Sequence, residues 1–190
     1  MKIVVIENLF GAGEPSISLR PDTSVLRNND DFYMPNTPTD IRCGVGVAVR
    51  ITRIAKCIDP RFAARCYDGV GVGVAFVDTA QLNRLRSAGL PCESAYCFDR
   101  SIAISPDFVA PAEIDGGEVR LAVNNQLKQT FLISSLKESL DECVSRASNL
   151  LTLKTGDLVF VQMPIEVQVV GGESMVATLD EREMLNFQIK

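Results

Sequence analysis

The sequence of 190 residues contains no histidine. Histidine is the usual general base near neutral pH and the commonest metal ligand in proteins. Its absence excludes Ser-His and Cys-His nucleophile pairs. Any catalysis by this chain must therefore use Asp, Glu, Lys, Tyr or Cys.

Cys-x-x-Cys pairs are also missing, although the chain has six cysteines. Without such pairs no zinc ligand pattern is present. The first ten residues, MKIVVIENLF, carry one basic residue and too short an apolar run for a signal peptide, which opposes a disulfide framework. We therefore expect six buried, reduced and inert thiols: Cys43, Cys57, Cys66, Cys92, Cys97 and Cys143.

Long apolar runs and clusters of positive charge are absent as well. No apolar stretch is long enough to span a membrane, and the net charge of -5 argues against nucleic acid as a partner. An apolar content of 46% over this length is typical of one globular domain with a sizeable core. We therefore predict a cytoplasmic protein, residues 1–190 forming a single domain, with no membrane and no nucleic acid partner.

Two glycine-containing segments predict buried strands. In residues 40–54 (DIRCGVGVAVRITRI), Val and Ile alternate with small or polar residues, so Gly44 and Gly46 project to one face. In residues 69–77 (GVGVGVAFV) glycine recurs with a period of two, unlike a dinucleotide-binding loop. We expect a thin strand face there, approached closely by another backbone or a ligand.

The rest of the chain alternates strands with a few short helices. Ser135 and Glu138 form a capping-box pattern that predicts the start of an amphipathic helix. The predicted fold class is strand-rich α+β. Its other predicted strands cover 2–6, 101–108, 119–123, 158–162, 175–178 and 185–189, and its other predicted helices cover 60–67 and 78–88.

Several segments, in order, resemble motifs of the fumarylacetoacetate hydrolase family. RPDTSVL, which begins at Arg20, resembles K-P-x-[ST]-[SA]-L, with Arg20 for the usual lysine. VNNQLKQ resembles V-N-G-x-x-x-Q, and TLKTGDLVFVQMP resembles T-L-x-x-G-D-x-I-x-T-G-T-P. The chain resembles a degenerate member of this family, similar to bacterial proteins of the 2-hydroxyhepta-2,4-diene-1,7-dioate isomerase and fumarylpyruvate hydrolase type. It implies a mixed β-roll or β-sandwich of the family's catalytic-domain type, usually a homodimer.

The resemblance also implies a metal site, which in the family binds Mg²⁺, Mn²⁺ or Ca²⁺ through three carboxylates. Aligned on these motifs, the family's Glu-x-Glu pair falls on Gly44 and Gly46, and its third carboxylate falls on Ala75. Hard divalent cations need such oxygen ligands. The resemblance therefore implies that the metal site is lost and that no cofactor is bound.

Other working positions of the family are replaced too. The catalytic lysine of K-x-F-D falls on Tyr96, while Asp99 is retained; the substrate-loop T-G-T falls on Val161, Gln162 and Met163. The lid motif N-Y-x-x-H reads as Leu9, Phe10 and Gly13, without its histidine. We expect side chains such as Tyr96, Met163 and Phe76 to fill the vacated space.

These replacements predict a catalytically inactive family member that binds a small molecule or a partner, including an active paralogue as a second subunit. The alternative is a metal-independent hydrolase, isomerase or lyase that acts on an acylpyruvate-like acid. Its acid or base would be Tyr96, Asp99, Cys92 or Cys97. A displaced metal site built from Asp78 and Glu93 is a third possibility that the sequence leaves open.

Overall fold

A computed structural model describes residues 1–10, 13–35 and 39–190 of the chain. Its strands are β1 (Lys2–Glu7), β2 (Ser16–Pro21), β3 (Val25–Leu26), β4 (Ile41–Ile51), β5 (Tyr67–Asp78), β6 (Ile102–Ile104), β7 (Glu118–Val123), β8 (Gln126–Leu132), β9 (Leu158–Gln162), β10 (Val167–Gln168), β11 (Ser174–Leu179) and β12 (Arg182–Gln188). Its helices are α1 (Pro60–Ala63), α2 (Thr79–Ser87) and α3 (Leu140–Leu150).

The strands form two sheets. The larger sheet is mixed, with the order β2-β1-β9-β4-β5-β6-β3 and with β10 paired to β4. Its β1–β9 and β3–β6 pairs are parallel, and its other pairs are antiparallel. The smaller sheet is antiparallel, in the order β12-β11-β7-β8. The large sheet curls, since Arg20 on β2 reaches the carbonyl oxygen of Phe76 on β5, at 3.2 Å.

Residue alternation along β4 separates the two faces of the large sheet. Val45, Val47 and Val49 face the main core, which also holds Leu121 and Phe187 from the small sheet. The opposite face carries Gly44, Gly46 and Ala48. It packs as a separate apolar cluster, which we call the cavity-face cluster: Ile3, Val5, Ala48, Ala75, Ile102, Ile104, Leu158 and Phe160.

Local sequence signals explain most element ends, with two corrections. The predicted helix over 60–67 is a single turn, α1, and Tyr67 already begins β5. Helix α3 starts later than predicted, because the capping box is formed by Ser139 and Glu142 rather than Ser135 and Glu138. Glu138 instead forms an ion pair with Arg146.

The cysteines are free, as expected, but only half of them are buried. Cys43, Cys66 and Cys143 lie in the core, and burial raises the pKa of Cys143 to about 12. Cys57 is exposed, and Cys92 and Cys97 are partly exposed, which corrects the prediction of six buried thiols. Among the described residues, no helix is long and apolar enough to cross a membrane.

Candidate active site

A cavity of about 690 Å³ lies at the end of the cavity-face cluster. Four neighbouring strands place their side chains there: Glu7 on β1, Gln162 on β9, Arg42 on β4 and Val77 on β5. Each of these side chains lies on the same strand face as the cavity-face cluster. Glu7, Gln162 and Val77 each come two residues after a member of that cluster, and Arg42 is the direct partner of Val77. The wall is completed by Asn8, Phe10, Ser18, Asp40, Thr79, Leu82, Asn83, Arg86, Cys92, Tyr96, Met163, Pro164 and Ile165.

The glycines of the strand face are packed under other groups. A Cβ atom on Gly46 would lie 2.3 Å from the carbonyl oxygen of Val161 and 2.5 Å from the ring of Phe160, and the same ring lies 2.6 Å from a Cβ built on Gly73. A Cβ on Gly44 would lie 2.7 Å from the Met163 carbonyl oxygen. The expected close approach at the thin strand face is therefore present, and the ring of Phe160 occupies it.

These contacts correct the picture of the three small residues. Gly44 does pair directly with Ala75 across β4 and β5, so the register brings them together. However, Gly44, Gly46 and Ala75 are absent from the cavity wall, and there is no vacated space above Gly46. The expected filling by Tyr96 and Met163 also differs from the structure, since both side chains line an open cavity. Phe76 faces the main core.

The residues at this end of β4 and β5 that do face the cavity are Asp40, which directly precedes β4, Arg42 and Val77, and sequence reasoning missed them. Arg42 pairs directly with Val77. One signal could have found them. The Thr-Ala of the family motif N/D-D/F-T-A-R-D matches Thr79-Ala80 when the motif is moved by two residues, and its first carboxylate position then falls on Val77.

Asp40 and Arg42 form a charge pair at the cavity wall. Thr79 donates from Oγ1 to Asp40 Oδ2 over 2.5 Å, and Arg42 Nε lies 3.3 Å from the same oxygen. The Thr79 hydrogen bond, helped by Arg42, lowers the pKa of Asp40, so this carboxylate is charged at neutral pH. Both side chains remain about two-fifths exposed, with 39% for Asp40 and 43% for Arg42. The guanidinium can therefore contact a ligand and Asp40 together.

The ring of Tyr96 lies next to the buried guanidinium of Arg20. The guanidinium of Arg20 lies 5.7 Å from the Tyr96 ring centroid and donates to the carbonyl oxygen of Ser101 over 2.6 Å. Burial lowers the pKa of Arg20 to about 10, which still leaves it charged at pH 7. Burial, and then nearby Glu93, raise the pKa of Tyr96, so its hydroxyl is a hydrogen-bond donor rather than a base at neutral pH.

The partly exposed cysteines give little support for a thiolate nucleophile. Burial raises the pKa of Cys97 despite the opposing charge of Arg20, and its thiol donates to the Leu19 carbonyl over 3.0 Å. Cys97 is also absent from the cavity wall, whereas Cys92 is part of it. A lowered pKa, which a reactive cysteine needs, is therefore not found at Cys97.

Three of the five predicted vestigial positions reach the cavity: Tyr96, Gln162 and Met163. Val161 is fully buried and faces the main core, because it is one residue out of phase with Gln162 along β9. Asp99 is exposed and lies outside the cavity wall. In the lid segment, Phe10 lines the cavity, whereas Leu9 is buried in the core.

Gln129 fixes the loop that forms one cavity wall. Its Oε1 accepts from the Val45 amide over 3.0 Å, and its Nε2 donates to the Pro164 carbonyl over 2.9 Å. Gln129 is the last residue of the VNNQLKQ motif, and its side chain is 8% exposed. Strand β8 of the small sheet therefore holds both β4 and the segment that follows β9.

The residues present do not fit a divalent cation of the family type. The described cavity wall holds two carboxylates, Glu7 and Asp40, with the guanidinium of Arg42 beside the second. Hard divalent cations take six to eight oxygen ligands, several of them carboxylates, and are repelled by a neighbouring positive charge. Within residues 1–10, 13–35 and 39–190, no three His, Cys, Asp or Glu side chains are grouped to hold a metal. Asp78 instead caps α2, accepting from the Gln81 amide over 3.0 Å.

Comparison with known proteins agrees with this architecture. The sequence profile of the fumarylacetoacetate (FAA) hydrolase C-terminal domain matches residues 9–176. The chain belongs to the fumarylacetoacetate hydrolase family. The resemblance found in the sequence is thereby confirmed.

Relatives with named activities include two tautomerases. Oxaloacetate tautomerase YcgM of Escherichia coli is 24% identical over 172 residues, which cover 88% of this chain and 78% of that protein. The human mitochondrial oxaloacetate tautomerase FAHD1 is 27% identical over 156 residues, which cover 80% of this chain and 69% of that protein. These identities show that the proteins are related, but they do not establish the activity of this chain.

The fold itself is shared with solved family structures. Fumarylpyruvate hydrolase from Pseudomonas aeruginosa, in complex with Mn²⁺ and pyruvate, superposes with a TM-score of 0.90 at 21% identity, covering 100% of this chain and 89% of that one. A family protein from Yersinia pestis superposes with a TM-score of 0.91 at 22% identity, covering 100% and 93%. The predicted strand-rich fold with a curled mixed sheet is therefore confirmed.

Proposed function

We propose that this protein binds a small dicarbonyl-type carboxylic acid in the cavity, with the guanidinium of Arg42 as the anchoring cation. On this proposal no divalent metal takes part, and the metal-dependent reactions of the family do not occur. The proposal is supported by the family membership and by relatives named as oxaloacetate tautomerases. A guanidinium recognises a carboxylate through two parallel hydrogen bonds, which a single metal ion does not provide.

The proposal rests on one observation. Arg42 and Val77 are direct partners at cavity-facing positions of β4 and β5, where acidic side chains would be needed to hold a cation. Asp40 holds the Nε side of this guanidinium at 3.3 Å. Among the described residues, the other two guanidinium nitrogen atoms of Arg42 make no hydrogen bond, so a ligand carboxylate can bind there. Arg86, which also lines the cavity, adds a second positive charge at its rim.

Binding in the presence of a chelator tests this proposal. Pyruvate, which binds Mn²⁺ only weakly, is titrated into the protein by calorimetry, in EDTA and separately in excess Mn²⁺; oxalate and oxaloacetate, which chelate Mn²⁺ themselves, are titrated in EDTA alone. We expect equal affinity in both buffers, and an Arg42→Gln variant should bind about 10- to 100-fold more weakly, since a charge-assisted hydrogen bond contributes roughly 1.5–3 kcal/mol. Lys128→Gln, which removes a positive charge outside the wall of this cavity, is the matched control.

Two results would contradict the proposal. One is stoichiometric Mn²⁺ or Mg²⁺ binding that raises the affinity for these acids. The other is metal-dependent hydrolysis, decarboxylation or tautomerisation of the same acids above the rate without protein. Unchanged affinity in Arg42→Gln would remove the anchoring role of Arg42 while leaving the cavity as a binding site.

A metal-independent hydrolase, isomerase or lyase is the second candidate, and the pairing of an acid with a base favours it. Tyr96 offers a protonated hydroxyl, and Asp40 offers a carboxylate that stays charged, in the wall of one cavity. Such a pair suits proton transfer between carbon and oxygen in keto–enol exchange. Turnover of enol-oxaloacetate in EDTA that falls in both Tyr96→Phe and Asp40→Asn would establish it. Turnover that is unchanged in both variants would dismiss it.

The oligomeric predictions extend this proposal. We propose that the protein forms a homodimer, or a mixed assembly with an active paralogue. Light scattering of the purified protein distinguishes a monomer from a dimer, and co-purification from the native source identifies a paralogue.

A further inference from the structure

A basic surface lies at the end of β4 and β5 that is far from the cavity. The segment between these strands packs on the chain that follows α3, because the amides of Ala55 and Leu153 each donate to the carbonyl oxygen of the other, over 3.1 and 2.8 Å. Residues 50–68 and 148–157 together carry six positive and three negative side chains, although the whole chain has a net charge of -5. This surface is therefore locally positive on an acidic protein.

Four cations of this surface have no acidic partner. The three acidic side chains are already paired, namely Asp59 with Arg61, Asp68 with Arg50 and Asp157 with Lys2. The other four cations are exposed and form no ion pair with any residue in 1–10, 13–35 or 39–190: Arg53, Lys56, Arg65 and Lys154. Their charge is therefore available to a partner.

Exposed apolar side chains lie among these cations. In the antiparallel pair of Ala55 with Leu153 both side chains are buried, so the neighbouring Ile54 and Lys154 lie side by side on the opposite, exposed face. The side chain of Ile54 is 71% exposed. An aliphatic group of this size on the surface loses contact with water only when a partner covers it.

The second apolar side chain is an aromatic ring on α1. Phe62 is 43% exposed, and the guanidinium groups of Arg61 and Arg65 lie 5.7 and 4.9 Å from its ring centroid. The amide of Arg53 donates to the Cys66 carbonyl oxygen over 3.3 Å, which places the end of β4 beside the end of α1. We call the following six residues the basic–apolar patch: Arg53, Ile54, Lys56, Phe62, Arg65 and Lys154.

The basic–apolar patch is poorly suited to bind the same patch of a second copy. A two-fold symmetric dimer places one surface of each subunit against the same surface of the other. Four unpaired cations would then face four others, and like charges repel. The homodimer proposed above would therefore use another surface. A partner of this patch must carry negative charge and must accept exposed apolar side chains.

We propose that the basic–apolar patch docks the protein on an anionic lipid surface. Ile54 and Phe62 enter the headgroup region, and the four cations face the negative headgroups. Clusters of four or more Lys and Arg side chains attract anionic lipids, and apolar side chains strengthen such binding by burial at the interface.

A lipid surface suits the patch better than an acidic peptide. No residue of the patch lines the cavity described above or the smaller one beside Lys128 and Gln129. Peptides bind in grooves or along sheet edges that match their shape, whereas lipid headgroups need no matched pocket. The protruding apolar side chains among cations therefore favour the lipid.

The sequence-based prediction of no membrane partner considered only the net charge and the length of apolar runs. Charges act over a Debye length of about 8 Å at physiological salt, so a lipid surface responds to the cations nearest to it. Positions 42 and 51 of β4 are nine residues apart, which is about 30 Å along a strand. A docked protein therefore keeps its cavity away from the lipid.

Sedimentation with lipid vesicles tests the docking. The protein is mixed with sucrose-loaded vesicles of phosphatidylcholine, either alone or with about 30% phosphatidylserine, in about 0.1 M and about 1 M salt. In the lower salt we expect about 100-fold tighter binding to the vesicles that contain phosphatidylserine. This binding should be lost in about 1 M salt, where the Debye length is about 3 Å. These measurements need no variant.

Variants locate the binding on the patch. Arg53→Gln/Lys56→Gln should bind the anionic vesicles about 30-fold more weakly, because each cation near such a surface contributes about fivefold. Ile54→Ser should bind about fivefold more weakly, because it removes an inserted apolar side chain.

Each variant has a matched control outside the patch. Arg27→Gln/Lys128→Gln makes the same change of net charge at exposed positions. Leu127→Ser removes another apolar side chain, which is 57% exposed. Both controls should bind the vesicles within about twofold of the natural protein.

Three results would overturn the docking: no binding to the anionic vesicles, equal binding to both kinds of vesicle, or equal weakening in Arg53→Gln/Lys56→Gln and its control. Unchanged affinity in Ile54→Ser would overturn the insertion of that side chain. If polyglutamate binds instead of vesicles and the patch variant abolishes this, the patch takes an acidic protein and the lipid proposal is wrong. Loss of a dimer in the patch variant, seen by light scattering, would likewise assign the patch to self-association. None of these results involves the cavity ligand, so this inference and the proposed function fail separately.

Discussion

Installing carboxylates at the cavity-facing positions should create the metal site that the family fold can hold. The variant is Arg42→Glu combined with Val77→Asp, which together with the native Asp40 places three carboxylates on one wall. Positions 42 and 77 are direct partners in the β4–β5 pair. Their Cβ atoms are therefore about 5 Å apart, and Asp40 follows at about 7 Å along the same side. Three carboxylate arms at these spacings can meet around one cation.

The expected affinity follows from ligand number and charge. The variant removes one positive charge and adds two negative ones, so the wall changes from a neutral Asp40–Arg42 pair to three negative groups. The weak Ca²⁺ sites of extracellular modules, which also use oxygen ligands, have dissociation constants of about 0.1–1 mM. We expect Mn²⁺ binding in this range, against none for the natural protein.

A second variant at the positions inferred from the sequence serves as the contrast. Placing Glu at Gly44 and Gly46, with Asp at Ala75, inserts Cβ atoms 2.7 Å and 2.3 Å from backbone oxygens. Overpacking typically costs about 1–3 kcal/mol per site, and buried unpaired carboxylates add to that cost. Against a total stability of about 5–15 kcal/mol, we expect this variant to be largely unfolded.

Calorimetric titration with Mn²⁺, checked by circular dichroism for folding, separates the two possibilities. A folded Arg42→Glu/Val77→Asp variant that binds no more Mn²⁺ than the natural protein would refute the assignment of the cavity-facing positions. A folded variant with carboxylates at positions 44, 46 and 75 that binds Mn²⁺ would refute it independently.

Three further predictions concern stability. Gln129→Met should lower the free energy of unfolding by about 1–3 kcal/mol in urea denaturation, because the Val45 amide and Pro164 carbonyl lose their buried partner. Burial opposes ionisation of Asp157, but its hydrogen bonds outweigh this effect and lower its pKa. The ionised carboxylate therefore stabilises the fold at neutral pH, and this stabilisation is lost below about pH 4. At such low pH the stability of the natural protein should approach that of Asp157→Asn. Ser139→Ala should cost about 1 kcal/mol by the same urea assay, since Ser139 caps α3, whereas Ser135→Ala should cost less.

The fold was predictable because its signals are local and repeated. Alternation of Val with small residues fixed β4 and β5, and the TLKTGD segment fixed the entry to β9, where the observed strand Leu158–Gln162 coincides with the predicted one. The start of α3 was not predictable from its pattern alone, because two Ser-x-x-Glu patterns follow one another. Tertiary pairing of Glu138 with Arg146 leaves Ser139 as the cap.

The candidate site was harder to predict, because it depends on strand register. In an antiparallel pair, a shift of two residues keeps a side chain on the same face but moves it by about 7 Å along the strand. Gly44 and Arg42 differ by such a shift, yet one lies beneath backbone and the other faces the cavity. Phe160, which decides where the packed region ends, carries no sequence signal for that role.

The charge arrangement explains how a sheet of this family can keep its fold without a cation. Three carboxylates without a metal would repel one another across a cavity wall, and the repulsion would destabilise the paired ends of β4 and β5. Here an arginine and a valine stand at two of the cavity-facing positions, so Asp40 has Arg42 and Thr79 as partners and no carboxylate of this group is left unpaired. Single changes disturb this balance: Arg42→Val would leave Asp40 with a neutral partner only, whereas Val77→Asp would add a second carboxylate against one guanidinium. The side chains at positions 40, 42 and 77 therefore act as a unit, and the energetic effect of changing any one of them depends on the other two.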